Sequence, residues 1–226
     1  MNELIPGLNS NLLTNQPQDV ATTVQLLILL TILSLAPSIL ILMTSFTRIV
    51  IVLSFVRTAL STQQMPPNQV IVGLALFLTF FIMAPVFGHV NHDAVQPYLK
   101  GNLSQKQALV KAEGPFKEFM AKETRTKDLD LFLDYGHYKK PDSIQHIPLS
   151  ALVPAYAISE LKTAFQMGFM IFIPFLIIDM VVASVMMAMG MMMVPPVLIS
   201  LPFKILLFVM VDGWYLIVKS LLAGYS

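Results

Sequence analysis

Marked out as hydrophobic and polar positions, the chain falls into three blocks: apolar, polar, apolar. Residues 20–43 form an uncharged run, and residues 68–87 form a second. A helix needs about 20 apolar residues to cross the hydrocarbon core of a bilayer, so each run predicts a spanning helix. In the last block, residues 168–193 and 197–222 are also long enough to span. The former carries Asp179, and the latter carries Lys204, Asp212 and Lys219. Prolines punctuate these runs at Pro37, Pro85, Pro174, Pro195, Pro196 and Pro202. An interior proline removes a helical hydrogen bond and crowds the preceding turn. Lipid cannot replace that bond, so the pattern predicts broken helices that pack against other protein. The expected architecture is all-α and membrane-associated. It comprises an N-terminal hydrophobic block (1–87), a polar helical region (88–150) and a C-terminal hydrophobic hairpin (151–226).

Short helices are expected in the polar block. Ser104 and Gln107 have capping-box spacing, which opens a helix that Gly114-Pro115 should break. Leu129, Phe132 and Leu133 recur at i, i+3 and i+4, giving one apolar face. A segment of about 60 residues makes a marginal core by itself, so this region should dock on the rest of the chain or on neighbours.

Composition sharpens the picture. Apolar residues make up 56% of the 226 positions, above the ~45–50% of soluble domains. Charged residues make up 12%, about half the usual share. Of the 27 charges, 17 lie in residues 88–150, together with all four histidines. A net charge of +1 gives no reason to expect nucleic acid. The absence of cysteine removes disulfides and thiolate chemistry. Arg48 and Arg57, with no acid in residues 44–67, place that connection in the cytoplasm by the positive-inside rule. The polar block then falls outside, and residues 191–196 return to the cytoplasmic side. Glu3 and Asp19 without a basic n-region predict no cleavable signal peptide.

His89, His92 and Asp93 have helical spacing that could hold a metal, but no fourth ligand is evident and solvated residues are the default. No metal or other cofactor is expected. Nor is there a phosphate loop, a G-x-S-x-G or an H-E-x-x-H, so an enzyme is not expected. The methionines are more informative. Seven of the fifteen fall in residues 180–193, ending in Met191, Met192 and Met193 between Gly190 and Pro195-Pro196. A copper(I) thioether site would want a His or Cys that the run lacks. The methionines serve either as adaptable packing or as a deformable seal in a loop, and the residues weigh these two equally.

Charges in apolar runs are functional candidates, because burying one costs at least ~2.5–3.5 kcal/mol. In a helical hairpin, Asp179 and Lys204 would lie about 3 residues, or ~4.5 Å, out of step. They could pair within a chain or between neighbours, or snorkel separately. Glu160 and Lys162 do not share a helix face and should seek separate partners. Arg48 and Arg57 lie on opposite sides of a helix. Asp212 completes the set of charges expected to be buried.

These residues resemble the FliP family of flagellar export-gate proteins and their injectisome relatives (SctR). The likeness runs through Thr47 to Leu53 (TRIVIVL), Pro66-Pro67-Asn68 and residues 74–80 (LALFLTF). It resumes at residues 159–165 (SELKTAF), 173–179 (IPFLIID), Gly190 to Met193 and residues 201–204 (LPFK). Val194-Pro195-Pro196 looks more flagellar than injectisome. Many Gram-negative members begin with a cleavable signal, so its expected absence leans towards a Gram-positive envelope. The resemblance implies a pentameric helical assembly with FliQ-like and FliR-like subunits, completed by FlhA and FlhB at the flagellar basal body. There it would form a multi-pass pore in the bacterial inner membrane, surrounded by lipid, that passes unfolded flagellar proteins. In such assemblies the helices sit largely above the bilayer, which would displace the simple four-span reading. The resemblance also implies a gasket at Met191, Met192 and Met193, and an inter-subunit ion pair between Asp179 and Lys204. The rival functions are a small secondary transporter, suggested by broken helices and buried charges, and, more weakly, a membrane-embedded protease. A transporter would need a saturable solute site and no helical partners. A protease would need a nucleophile–base pair inside runs that contain no histidine.

Overall fold

The computed structural model describes residues 17–62, 64–191 and 194–225, and every regular element among them is helical. The chain divides into two compact units, Met1–Ile41 and Leu42–Ser226. Helix α1 (Pro17–Leu42) accounts for the first apolar run. Two of its hydroxyls fold back onto the helix, Thr31 Oγ1 donating to the Leu27 carbonyl at 2.8 Å and Ser34 Oγ to that of Thr31 at 2.8 Å. These two polar groups therefore need no outside partner.

In the second unit, the stretch expected as a charged loop is instead a helix, α2 (Phe46–Ala59). Ile49, Val52, Leu53, Val56 and Ala59 recur at helical spacing, and all are buried. This stripe packs on α3 (Asn68–Val90) and α7 (Leu149–Ala188). The core it forms also takes Ile71 and Ala75 from α3, Ala164 and Phe175 from α7, and Phe208, Ile217 and Leu221 from the chain beyond. Pro85 lies within α3, and Pro154 and Pro174 lie within α7, without ending either helix.

The polar block docks on the start of α7. After α3, a π-helical turn (Asn91–Val95) and α4 (Gln96–Leu99) extend the rod, widening just ahead of Pro97, which has no N–H to give. The predicted capping box opens α5 (Gln105–Glu123), with Gln107 N–H donating to Ser104 Oγ and Ser104 N–H donating to Gln107 Oε1. Gly114-Pro115 does not break this helix. Met120, wholly buried with Ile147, Leu152 and Tyr156, anchors its second half, with Phe116 and Phe119 packed beside it. Burial of several such side chains, at ~1.5–3 kcal/mol each, outweighs the ~3 kcal/mol cost of an interior proline. In α6 (Thr126–Tyr135), Leu133 is buried and Leu129 and Phe132 are half-buried, as their spacing predicts.

Helix α7 begins about twenty residues before the run that predicted it and continues for 40. The last run is two helices, α8 (Pro196–Met210) and α9 (Gly213–Ala223), bent by 62°. Asp212, in a left-handed conformation at φ 51°, makes the break. Among the described residues, two helices are therefore long and apolar enough to cross a membrane, Asn68–Leu99 and Leu149–Ala188, or three if the bent pair counts as one span. Their outer faces are apolar and exposed, with Phe77 at 78% and Met170 at 69%.

Candidate functional site

Among the described residues, buried charges gather mainly in two clusters, 19 positions apart on α7, or about 28 Å of helix rise. The first centres on Arg48, 3% exposed, against Glu160, wholly buried. Arg48 Nε donates to Glu160 Oε2 at 2.9 Å, and Nη2 contacts Glu160 Oε1 as well. Nη2 also donates to Glu123 Oε2 at 2.9 Å, and Nη1 to the Gly224 carbonyl at 3.1 Å. The guanidinium lies 4.0 Å from the centre of the Tyr225 ring, which stacks on Phe119. Tyr225 Oη donates to Glu160 Oε2 at 2.5 Å. Burial, and next the Glu160 carboxylate, push the Tyr225 hydroxyl above its ordinary pKa, so it remains a donor. One arginine thus joins α2, α5, α7 and the segment after α9.

This cluster overturns the sidedness expected from the arginines. Arg48 was weighed as a loop charge, yet it lies in the core and touches Glu123 of the polar block. Stretches placed on opposite faces of a membrane are therefore in contact. Arg57, half-buried, donates to Asn68 Oδ1 at 2.7 Å.

In the second cluster, Lys204 of α8, 1% exposed, donates to Asp179 Oδ2 of α7 at 2.5 Å and to Ser61 Oγ at 2.6 Å. Ser200 Oγ donates to Asp179 Oδ1 at 2.5 Å. Of the arrangements left open by the residues, the pair within one chain is the one made here. Ser200 precedes Lys204 by four positions, on the same helix face, a signal legible in the sequence. Ser61 is not legible that way, since it reaches the pair from just beyond α2.

The hairpin beyond this pair ends in the methionine loop. Gly190, at φ 76°, closes α7 with Met191 N–H on the Met186 carbonyl and Gly190 N–H on that of Met187, a Schellman stop. Met191 is non-helical and exposed, and α8 restarts at Pro196. Met192 and Met193 lie outside the described residues. Of the other charges expected to be buried, Glu160 is, whereas Lys162 and Asp212 are exposed in the single chain. His92 Nδ1 meets Asp93 Oδ1 at 2.6 Å, and no group of three potential metal ligands forms among the described residues.

A smaller link was not anticipated. Asp128 of α6 accepts from Ser159 Oγ at 2.6 Å and pairs with Arg125 at 2.5 Å. Burial pushes the Asp128 carboxyl up, but the bonds from Ser159 and Arg125 outweigh it and hold the pKa below the ordinary value. A depressed carboxylate stabilises fully above its unfolded pKa, about 3.9. That stabilisation is lost as pH falls through the lower folded value. Hydrogen exchange should therefore show α6 loosening only below about pH 4. Asp128→Asn should loosen it at neutral pH, and protection equal to the parent's there would refute the role.

Helices of spanning length, apolar outer faces and core charges paired within the fold define a helical membrane protein. Comparison with known proteins narrows this class. The FliP family model matches residues 29–221, and the chain belongs to that family. It is 67% identical to the flagellar biosynthetic protein FliP of Bacillus subtilis, over the full length of both. The FliP of Pectobacterium carotovorum is 51% identical over 98% of this chain and 86% of its own. That of Buchnera aphidicola from Acyrthosiphon pisum is 51% identical over 98% of this chain and 59% of its own.

Proposed function

We propose that the chain is a structural, pore-forming subunit of the flagellar type III export gate, which passes unfolded flagellar proteins across the bacterial inner membrane. The observation that carries this reading is a contrast within the larger unit. Its core charges are paired internally, while its outer helix faces remain aromatic and apolar. Such faces suit other helices, and relatives named as flagellar biosynthetic proteins supply the context. In this reading a pentameric ring joins FliQ-like and FliR-like subunits at the basal body, with FlhA and FlhB completing the gate. The subunit performs no catalysis. Met191, Met192 and Met193 from each copy close around the passing chain, and thioethers suit that task because they adapt to irregular shapes.

Weighing the detergent-extracted complex tests the assembly. The expected result is a ring of about five copies, with or without smaller helical partners. A monomer or dimer that moves a small solute saturably would favour the transporter instead. Deleting the three methionines should leave the assembled complex leaky to small ions. Unchanged ion permeability would return them to packing.

A further inference from the structure

Helix α2 is capped by Leu60, and Ser61 follows in the left-handed region at φ 57°. Its N–H closes the turn on the Thr58 carbonyl at 3.0 Å. That place after a helix usually falls to glycine, since a Cβ in the left-handed region crowds the next carbonyl oxygen. Gly190 takes the equivalent place after α7, at φ 76°. A serine held there costs stability, and the surrounding contacts must hold it. The contact that uses its hydroxyl spans 143 positions: Lys204 Nζ donates to Ser61 Oγ at 2.6 Å.

Lys204 is 1% exposed and has three N–H groups to place. Asp179 and Ser61 receive two of them. Asp179 lies on α7 and Lys204 on α8, so their bond closes the hairpin on itself. Ser200 also lies on α8, which leaves Ser61 as the described hydrogen-bond partner of this cluster from outside the hairpin. Phe208 carries α8 into the core by apolar contact, which has no direction of its own. The turn that presents Ser61 is itself held, with Thr62 Oγ1 donating to the Met65 carbonyl at 2.6 Å and Arg57 to Asn68. We propose that Ser61 is a positioning residue for the methionine hairpin, fixing Lys204, and so the root of α8, at the level of the α2 terminus. The contact orients and does not activate, because an ammonium donating to Asp179 and Ser61 has no lone pair with which to deprotonate a serine. From Lys204 back to Pro196, where the loop ends, α8 is a rod of about 12 Å. A shift at the root is therefore passed to the loop, and the inference rests on the reading of that loop as the seal.

The test compares Ser61→Gly, Ser61→Ala and Ser61→Asn in the whole detergent-purified complex and in proteoliposomes made from it. Glycine relieves the backbone but removes the acceptor, whereas asparagine tolerates the left-handed region and restores an acceptor. Hydrogen exchange in residues 196–204 should rise roughly tenfold in the Gly and Ala variants, the loss expected for a bond to a charged donor. The Asn variant should stay near the parent, and exchange in α5 should not change in any of them. A residue that merely shaped the turn would give the reverse order, with glycine the best protected. Protection of α8 in Ser61→Gly equal to the parent's, or in Ser61→Asn no better than in Ser61→Gly, would overturn the proposal. So would an equal rise in α5, which would mean general loosening. Ion leakage should rise severalfold in Ser61→Gly with the mass of the complex unchanged. A loosened α8 without leakage would keep Ser61 as the positioning residue of the hairpin and remove the seal, so the two readings fail separately.

Discussion

Arg48→Ala will leave Glu160 and Glu123 facing each other without a counter-charge, and the protein will scarcely accumulate in folded form. Removing one partner of a buried ion pair typically costs ~3–5 kcal/mol. That is a large part of the ~5–15 kcal/mol that holds an ordinary domain together. Two carboxylates lose their partner at once here, and the Gly224 carbonyl and the Tyr225 ring lose theirs as well. Arg48→Lys should rescue little, because one ammonium cannot reproduce a planar fork that reaches Glu160, Glu123 and Gly224 in three directions. Glu160→Gln should be milder than Arg48→Ala, since the amide still accepts one hydrogen bond and Glu123 keeps the charge pair. Thermal unfolding in detergent, with the yield of folded protein, measures the series. A normal melting temperature for Arg48→Ala would show that the network is incidental to stability.

Asp179→Lys places two ammonium groups at the root of the methionine hairpin and should abolish assembly, with Lys204→Asp close behind. The geometry makes a sharper prediction than simple loss. In this structure the pair closes inside one chain, between α7 and α8, with Ser61 and Ser200 completing it. The exchange variant, Asp179→Lys with Lys204→Asp on one chain, should therefore recover part of the assembly. Co-expressing the two single variants as separate chains should recover none, because neither chain can close its own pair. Native gels of the single variants, the exchange and the co-expressed mixture decide the matter. Recovery in the mixture would mean that the pair forms between neighbouring subunits in the assembled state. Normal assembly of both single variants would mean that the pair is dispensable.

How far the sequence foretold this arrangement depended on the range of the forces involved. Local chemistry was legible. Ser104 and Gln107 opened α5 as their spacing required, and Gly190 and Pro195-Pro196 bounded the methionine loop. What failed was whatever tertiary packing decided. Arg48 and Arg57 weighed as loop charges because nothing nearby in sequence neutralises them. The partners of Arg48 lie 75, 112 and 176 positions away. The same ignorance hid the first five turns of α7, residues 149–167, whose polar and charged positions carry no long apolar run although Glu160 is wholly buried. Pro115 was misjudged for the opposite reason, since Met120 and its neighbours supply more than the proline removes. Tyr225 carried no signal at all: a tyrosine among glycine and serine becomes half-buried and part of the charge network only because Phe119 and Arg48 are brought beneath it. Ser200 could have been found, as the hydroxyl one turn before a lysine in an otherwise apolar helix.

The contact between Arg48 and the Gly224 carbonyl also sets an order of events during synthesis. The two residues are 176 positions apart. At about 5–20 residues per second, a ribosome takes roughly 10–35 s to cover that distance. For that interval Arg48 has already been made while the wall formed by residues 224 and 225 has not. Helices α2 and α3 must therefore reach the membrane with the arginine still hydrated or provisionally held by another group. The long helices are thus delivered before their polar centre is complete, and a nascent chain stalled within α9 would leave Arg48, Glu123 and Glu160 without the Gly224 carbonyl and the Tyr225 side chain that close over them.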